Sequence, residues 1–545
     1  MGFQRLFLFL IFSFSLIVLW NEWLRQNQPP APTPTATVSA DPSVPSAPAK
    51  PVSQATASAP AETLAIPAGK KITVTTDTFR AEINTAGGNL QHIDLLQHKG
   101  SADQTKPLSM FQQGEGGTYL AQSGLLGKDL PTHNGDFTTT GETFELAEGK
   151  DTVEVRLSAV ATGTAKVSKT YVFRRGSYLV DIVFEIENKG SSVLTPSAYF
   201  QFVRDSNPPE GDSKFLPTYT GPAVYTDAEK FHKIEFSNIE KNKAELPRGP
   251  DNGWIAMLQH YFVAAWLPQG KEVREFYVKK LDGQLFSAGV VMPGSSIEPG
   301  QTARITTPLY VGPAQSKLDE IAPGLGLTVD YGWLTVFATP IFWLMSLLND
   351  WVHNWGVAII LLTVLIKLAF FPLSAASYRS MAKMRLVAPK LEQIKKQYGD
   401  DRERLNKAMM ELYKTEKINP LGGCLPILIQ IPVFIALYWA ILSSVEMRHA
   451  PFVGWITDLS ATDPYFVLPI VMGISMLIQT KLNPVPPDPL QAKMMQIMPI
   501  AFSVIFFFFP AGLVLYSIVN NILSIAQQWY INRGADAARK GGVKA

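Results

Sequence analysis

A single cation lies inside a long apolar stretch of this chain. Gly356–Ser374 reads GVAIILLTVLIKLAFFPLS, and Lys367 is its one charged residue. At ~1.5 Å per helical residue, Lys367 would lie about 16 Å from Gly356 and about 10 Å from Ser374, deep within a ~30 Å hydrocarbon layer. A charge at that depth costs several kcal/mol unless something solvates it. Lys367 therefore either extends its four-carbon stem to the nearer membrane face or lines a wet cavity that attracts an anionic guest.

Polar side chains in the other apolar stretches favour the cavity. Buried amides in lipid need partners, so amides that are scattered over several helices usually face one another or water. The polar residues are Thr363, in the same stretch as Lys367, and in the other stretches Gln430, Gln479, Ser517, Asn520, Asn521, Gln527 and Gln528. Their simplest role would be to join neighbouring helices. The predicted spans from Gly356 onward contain no Asp or Glu that could pair with Lys367, which favours a polar cavity that binds an anion.

Composition separates apolar ends from a soluble middle. The 545 residues are 46% hydrophobic, and this content is concentrated in the first 24 residues and after about residue 333. The 48 Lys and Arg against 46 Asp and Glu leave a net charge of +2, which predicts no nucleic-acid partner. The single cysteine, Cys424, excludes an internal disulfide and a cysteine-based metal site. No nucleotide or cofactor motif occurs, so no cofactor is expected.

The N-terminal segments predict an anchor and a tether. Leu6–Trp20 is uncharged, and the residues after it are not the small residues of a cleavage site. Residues 1–27 are therefore predicted to be an uncleaved signal anchor, with the N-terminus inside. Residues 28–69 consist mainly of Pro, Ala, Ser and Thr, which predicts a disordered linker.

Residues 70–323 show short runs in which apolar and polar residues alternate, separated by Gly, Asn, Asp and Pro. Tyr178, Val180 and Ile182 are one example. This period of two predicts a β-sandwich domain. Trp254 and Trp266 could stack on a sugar, although a tryptophan in a large sandwich more often belongs to the core.

Charge asymmetry orients the C-terminal segments. Between Tyr378 and Pro420 there are 11 Lys and Arg against 6 Asp and Glu, and so basic a short loop stays in the cytoplasm. The uncharged stretch Leu334–Leu348 contains Pro340 and is short for a span, so it is predicted to lie in the outer interface. Both termini are then cytoplasmic and the β-domain lies outside. The predicted segments are an outer interfacial amphipathic helix (324–355), span 2 (356–377), a cytoplasmic helical hairpin (378–422), span 3 (423–445), span 4 (464–480), span 5 (494–510), span 6 (512–532) and a basic cytoplasmic tail (533–545).

The basic hairpin carries soft apolar residues beside its cations. Either it packs only against itself, or it presents a docking surface for a hydrophobic partner or a ribosome. The candidate docking residues are Met381, Lys383, Met384, Arg385, Met409 and Met410.

Three strings identify the chain as similar to a known family. Asn419–Phe434 (NPLGGCLPILIQIPVF), Phe509–Tyr516 (FPAGLVLY) and Ser380–Met384 (SMAKM) resemble the YidC family of membrane protein insertases in its Gram-negative form. The resemblance covers the whole chain. It implies an α-helical polytopic protein of the bacterial inner membrane, with six spans, a five-helix insertase core and an all-β periplasmic domain of the β-supersandwich type.

The resemblance also implies an insertase and chaperone rather than an enzyme. A hydrophilic groove would receive nascent inner-membrane proteins, alone or beside the Sec translocon, with the ribosome and membrane lipids as further partners. The family's groove cation falls on Lys367 and its polar groove residues on Thr363, Gln430 and Asn521, and Ser517 is a further groove candidate. The family's usual cation is arginine, so this chain keeps the positive charge but loses the bidentate fork.

Two other functions are compatible with parts of the pattern. A secondary transporter could bind a small anion at Lys367, but the spans show no internal repeat and no acid to carry coupling protons. An anchored envelope protein that binds carbohydrate would leave the helices passive, and a passive anchor does not need six spans.

Overall fold

The computed structural model describes residues 69–100, 103–114, 117–160, 163–209, 218–329, 331, 335–399, 401–416, 425–483 and 489–541. The predicted signal anchor (1–27) and nearly all of the predicted linker (28–69) lie outside these residues. The described chain forms two compact units. The first ends at Leu258 and resumes over Ala264–Val311, and the second comprises Gln259–Val263 and the chain from Gly312 onward.

The first unit is built from strands, which confirms the prediction of a β-rich domain. Its described residues include one α-helix, which is short, α1 (Phe236–Glu240). The strands are β1 (Lys71–Thr75), β2 (Phe79–Asn84), β3 (Asn89–Lys99), β4 (Pro107–Gly114), β5 (Gly117–Leu126), β6 (Phe137–Thr138), β7 (Thr143–Glu145), β8 (Thr152–Ala159), β9 (Ala165–Arg174), β10 (Leu179–Asn188), β11 (Ser197–Asp205), β12 (Gly221–Thr226), β13 (Lys230–Lys233), β14 (Trp254–Gln259), β15 (Phe262–Trp266), β16 (Glu275–Lys280), β17 (Leu285–Pro293) and β18 (Thr302–Pro313).

These strands form two nine-stranded sheets. The orders are β16-β17-β11-β5-β4-β3-β2-β1-β7 and β13-β12-β14-β15-β18-β10-β9-β8-β6. The β1–β7 pairing is parallel, whereas long neighbours such as β9 and β10 pair antiparallel. Trp266 of the second sheet lies 5.1 Å from Phe200 of the first, measured between ring centroids, and both side chains are buried. Trp254 is also buried, so both tryptophans belong to the core and neither is a sugar platform.

Arg274 organises the loops that precede β16. Its side chain is 1% exposed, and all five of its guanidinium N–H bonds are donated to backbone carbonyls. The accepting carbonyls belong to Asp251, Gly253, Pro268, Gly270 and Glu272. One planar cation thus replaces secondary structure as the partner of these loop carbonyls.

The second unit is helical. Its main helices are α2 (Thr335–Val352), α3 (Trp355–Ala369), α4 (Phe371–Tyr398), α5 (Arg402–Thr415), α6 (Leu425–Ser443), α7 (Val467–Leu482), α8 (Pro489–Phe506) and α9 (Ala511–Gly541). Within the described residues, no single helix is both long and apolar enough to cross a membrane, whereas α3 and α4 together pass that test as a pair bent by 67°.

The bend between α3 and α4 differs from the expectation of one helix over 356–377. Phe370 ends α3, and Pro372 lies in the first turn of α4. Proline has no N–H to donate, and its ring collides with the carbonyl four residues earlier, so a straight helix cannot continue through Pro372. Lys367 therefore lies in the last turn of α3 and not in the middle of a longer helix.

The loop between α6 and α7 covers one end of the helices. Leu459 and Met447 of this loop are fully buried. The first residues of α9 donate to it, from Ala511 N to Ala461 O at 2.7 Å and from Gly512 N to Leu459 O at 2.9 Å. The N-terminal N–H groups of α9 are thus satisfied by loop carbonyls, which closes this end of the bundle.

Candidate functional site

Lys367 lines a small hollow between helices that is partly open to solvent. The residues of the hollow from the α3–α4 bend are Ile366, Lys367, Phe370, Leu373 and Ser374, and those from α6 are Gln430 and Val433. Because the chain turns at Phe370, both arms of the bend contribute walls on either side of the cation. The polar side chains among its lining residues are the Lys367 ammonium, the Gln430 amide and the Ser374 hydroxyl, which together can attract and solvate an acidic group.

The Lys367 ammonium is held by the opposite helix. Its Nζ donates to the Ser524 hydroxyl of α9 at 2.7 Å. Ser524 is 3% exposed and donates its own proton to Asn520 O at 2.7 Å. The lysine side chain is partly buried at the hollow, and its ammonium contacts α9.

Ser524 was not among the predicted groove residues, although the sequence contains a signal for it. Ser517, Asn521, Ser524 and Gln528 are separated by four, three and four residues, which places them along one face of α9. All four side chains are buried. A periodic polar stripe on an otherwise apolar helix would have indicated Ser524 together with the three amides and hydroxyls beside it.

The structure separates the other predicted groove residues into two groups. Gln430 lines the hollow and donates from Nε2 to the hydroxyl of Tyr516 on α9. Thr363 and Ser517 are buried and donate to carbonyls of their own helices, at 2.7 and 2.9 Å. Asn521 is buried and donates to Ser475 of α7 at 3.2 Å, so it joins two helices. Lys367 and Gln430 are therefore brought together at the hollow, whereas Thr363, Ser517 and Asn521 are not part of its lining.

The predicted docking residues of the hairpin are divided in a similar way. Met384 and Met409 pack against the hairpin's own core of Val387, Leu391 and Tyr413. Met381 is partly buried, while Met410, Lys383 and Arg385 are exposed. The six residues do not form a single outward surface, because α4 and α5 use two of the methionines to hold each other.

Arg385 links the hairpin to α7. Its Nη2 donates to the carbonyls of Leu482 at 3.1 Å and Lys481 at 3.4 Å. Gln528 of α9 donates to the same Leu482 carbonyl at 3.1 Å. A cation at a helix C-terminus also interacts favourably with the helix dipole, so the end of α7 is a junction of three helices.

Metal chemistry has no support in the described part of the chain. No group of three or more His, Cys, Asp or Glu that could hold a metal ion occurs among these residues. The hollow itself contains one cation and no carboxylate. Its chemistry is therefore limited to solvation and charge attraction.

Comparison with known proteins decides the family. Residues 71–344 match the family model described as the YidC periplasmic domain, and residues 347–538 match the one described as 60Kd inner membrane protein. A membrane protein insertase YidC from Nitrosospira multiformis is 54% identical, over 97% of this chain and 97% of its own length. This chain belongs to the YidC family of membrane protein insertases.

A second relative agrees with membership of the YidC family. A membrane protein insertase YidC from Methylobacillus flagellatus is 55% identical over 99% of each chain. A solved structure described as an active YidC insertase with its first transmembrane domain resolved is 20% identical, covers 85% of this chain and 93% of its own, and has a TM-score of 0.39. The prediction of an insertase, and not an enzyme, is confirmed, and the transporter and carbohydrate-binding alternatives are set aside.

Proposed function

We propose that the hollow beside Lys367 receives the polar tail of a nascent inner-membrane protein. The observation that carries this proposal is the meeting of the Lys367 ammonium and the Gln430 amide at one mainly apolar hollow. The main barrier to crossing hydrocarbon is desolvation of the tail's polar and acidic groups. A cation and an amide at the hollow replace part of the lost water, and the single charge favours acidic tails.

The apolar segment of the substrate then supplies the driving force. Burying it in lipid contributes ~25 cal/mol per Å² of apolar surface, which needs no nucleotide. The proposed path opens toward the cytoplasm and sideways to lipid, and is closed on the outer side. The buried loop between α6 and α7, with its hydrogen bonds to Ala511 and Gly512, supports closure at that end. Thr363, Ser517 and Asn521 would contribute as the polar frame of the groove and not as its direct lining.

The proposed topology has six spans, with both termini in the cytoplasm and the β-domain in the periplasm. The spans are residues 1–27 and then 356–377, 423–445, 464–480, 494–510 and 512–532. The excess of Lys and Arg between Tyr378 and Pro420 supports a cytoplasmic hairpin. The two facing nine-stranded sheets support a β-supersandwich for residues 70–323.

We place α2 in the outer membrane interface. Its exposed large apolar side chains include Trp343, at 65%, and Trp351, at 83%. Tryptophan prefers the boundary between headgroups and hydrocarbon, and Pro340 makes the helix a poor span. Membrane lipids are thus the proposed partner of this surface.

The hairpin is the proposed first contact for substrates on the cytoplasmic side. Lys383, Arg385 and Met410 supply exposed cationic and apolar side chains, and Met381 is partly exposed beside them. The ribosome is a proposed weak partner through these cations and those of residues 533–545. The Sec translocon is a proposed partner for substrates that need both proteins.

Insertion into proteoliposomes tests the role of the cation. Matched substrates with acidic and neutral tails are compared for Lys367→Arg, Lys367→Glu and the control Lys493→Glu, which makes the same change of charge at an exposed position on α8. Lys367→Arg should retain insertion, whereas Lys367→Glu should slow acidic tails about tenfold or more, with little effect on neutral ones. Equal activity of the two Lys367 variants on acidic tails would remove the charge from the function.

Crosslinking tests whether the hollow is occupied. A photoreactive residue at Gln430 should crosslink to a stalled nascent membrane protein, because Gln430 lines the hollow. The control places the same photoreactive residue at position 166, where Lys166 is exposed on β9. Crosslinks from Lys166 that equal those from Gln430 would show that the reaction is not specific to the hollow.

A further inference from the structure

The hydrogen bond between Lys367 and Ser524 joins residues 157 positions apart in the chain. In the described part of the chain, the Lys367 ammonium donates a hydrogen bond to the Ser524 hydroxyl. Its oxygen lies 2.7 Å from Nζ, and the serine is almost completely buried. This contact therefore determines where the charge sits relative to the hollow.

The Ser524 hydroxyl joins several groups at this contact. A serine hydroxyl has one proton and two lone pairs, and the Ser524 proton is donated to Asn520 O at 2.7 Å. Its oxygen accepts from the Lys367 ammonium, and the Tyr378 side chain of α4 is a further hydrogen-bond partner of Ser524. An ammonium has three N–H bonds, and Ser524 accepts one of them.

Such a fixed acceptor matters more for lysine than for arginine. A lysine side chain is a point charge on a flexible four-carbon stem, and it can withdraw toward water or headgroups. A charge-assisted hydrogen bond to a buried hydroxyl opposes that withdrawal. Without the Ser524 oxygen, the ammonium keeps its charge but loses its place.

We propose that Ser524 is a positioning residue, which holds the Lys367 ammonium at the hollow and thereby determines the preference for acidic tails. The proposal rests on the proposed function of Lys367 in attracting acidic substrates. Ser524 acts through the lysine and does not itself touch the substrate. It should therefore affect acidic tails and leave neutral tails unchanged.

A double-mutant cycle in the reconstituted insertion assay tests this role. The variants are Ser524→Ala, Ser524→Thr, Lys367→Met and the double variant Lys367→Met with Ser524→Ala. Ser524→Ala should slow insertion of acidic tails about tenfold, as expected for loss of a hydrogen bond to a charged group. Ser524→Thr keeps the hydroxyl and should therefore insert acidic tails at the wild-type rate. In the Lys367→Met background, Ser524→Ala should have no further effect.

A matched control distinguishes positioning from packing. Thr480 on α7 donates its hydroxyl proton to a carbonyl of its own helix at 2.8 Å, so Thr480→Val removes a comparable hydroxyl away from the hollow. It should leave both substrates unaffected. Equal losses for acidic and neutral tails in Ser524→Ala, or an undiminished loss in the Lys367→Met background, would overturn the proposal, as would normal activity of Ser524→Ala. Normal insertion of acidic tails by Lys367→Met would instead refute the proposed function itself.

Discussion

A buried lysine should make the stability of the β-domain depend on pH. Lys169 on β9 is fully buried, and its Nζ donates to Ser123 O at 3.1 Å and Gly87 O at 3.5 Å. Three aromatic rings lie near its ammonium. The nearest is that of Tyr171, whose centroid is 5.4 Å from Nζ. None of the described acidic residues forms an ion pair with it. Burial without a counter-charge lowers the pKa of Lys169 to about 7.

The sign of the effect follows from the two states of the protein. The unfolded chain holds the proton on Lys169 up to a pKa of 10.5, whereas the folded chain releases it near pH 7. Between these values the unfolded state binds more protons, so the free energy of unfolding rises with pH. The expected gain from this one residue is about 2 kcal/mol between pH 7 and pH 9, with a limiting slope of ~1.4 kcal/mol per pH unit.

Pulse proteolysis of the full-length chain in detergent and urea measures this dependence. The free energy of unfolding of the β-domain is compared at pH 7, 8 and 9 for the wild type, Lys169→Met and Lys166→Met. Lys169→Met should lose the rise because its side chain does not titrate, whereas Lys166→Met, at an exposed position on the same strand, should keep it. The same slope for the wild type and Lys169→Met would refute the reasoning.

Three other substitutions test contacts that lie within one unit or the other. Arg274→Lys should lower the free energy of unfolding of the β-domain by about 2–4 kcal/mol in the same assay, because three ammonium donors cannot replace five fixed guanidinium donors; an unchanged midpoint would contradict this. Arg385→Ala should speed amide hydrogen exchange in the hairpin and in the last turn of α7, since the hydrogen bond to the Leu482 carbonyl is lost. Exchange rates equal to those of the wild type would show that this contact does not stabilise either segment. Asp401 caps α5 by accepting from the amides of Glu403 and Arg404, so Asp401→Ala should destabilise that helix by ~1 kcal/mol, seen as faster exchange over residues 402–415 and absent in Asp401→Asn.

Local patterns in the chain predicted its division into a β-rich domain and a helical part. Alternation with a period of two predicted the β-rich domain, and membrane-length apolar stretches predicted the helical part, because both patterns reflect which face of one element is buried. A helical hairpin was also predicted over 378–422, where α4 and α5 lie. The cation of the hollow was evident because a charge in an apolar run is costly wherever it lies.

The break at Phe370 was readable from Pro372 but was not predicted, because the length of the apolar run favoured a single helix. Met384 and Met409 were predicted as docking residues, and in the structure they are partly buried and pack against the hairpin's own core. For the two methionines, the apolar character was predicted correctly, but the residues with which they pack were not.

By itself, the sequence determined that a membrane-associated helical part carries one cation, Lys367, within the apolar stretch Gly356–Ser374. It also determined that a large β-domain precedes this part. Only the tertiary structure decided which polar groups meet that cation. Ser524, which is 157 residues away, contacts it, and Gln430 shares its hollow, whereas Thr363, Ser517 and Asn521 bond elsewhere. The reason is physical: the hydrophobic pattern states which residues avoid water, but the partner of a buried polar group depends on how helices rotate and pack against one another.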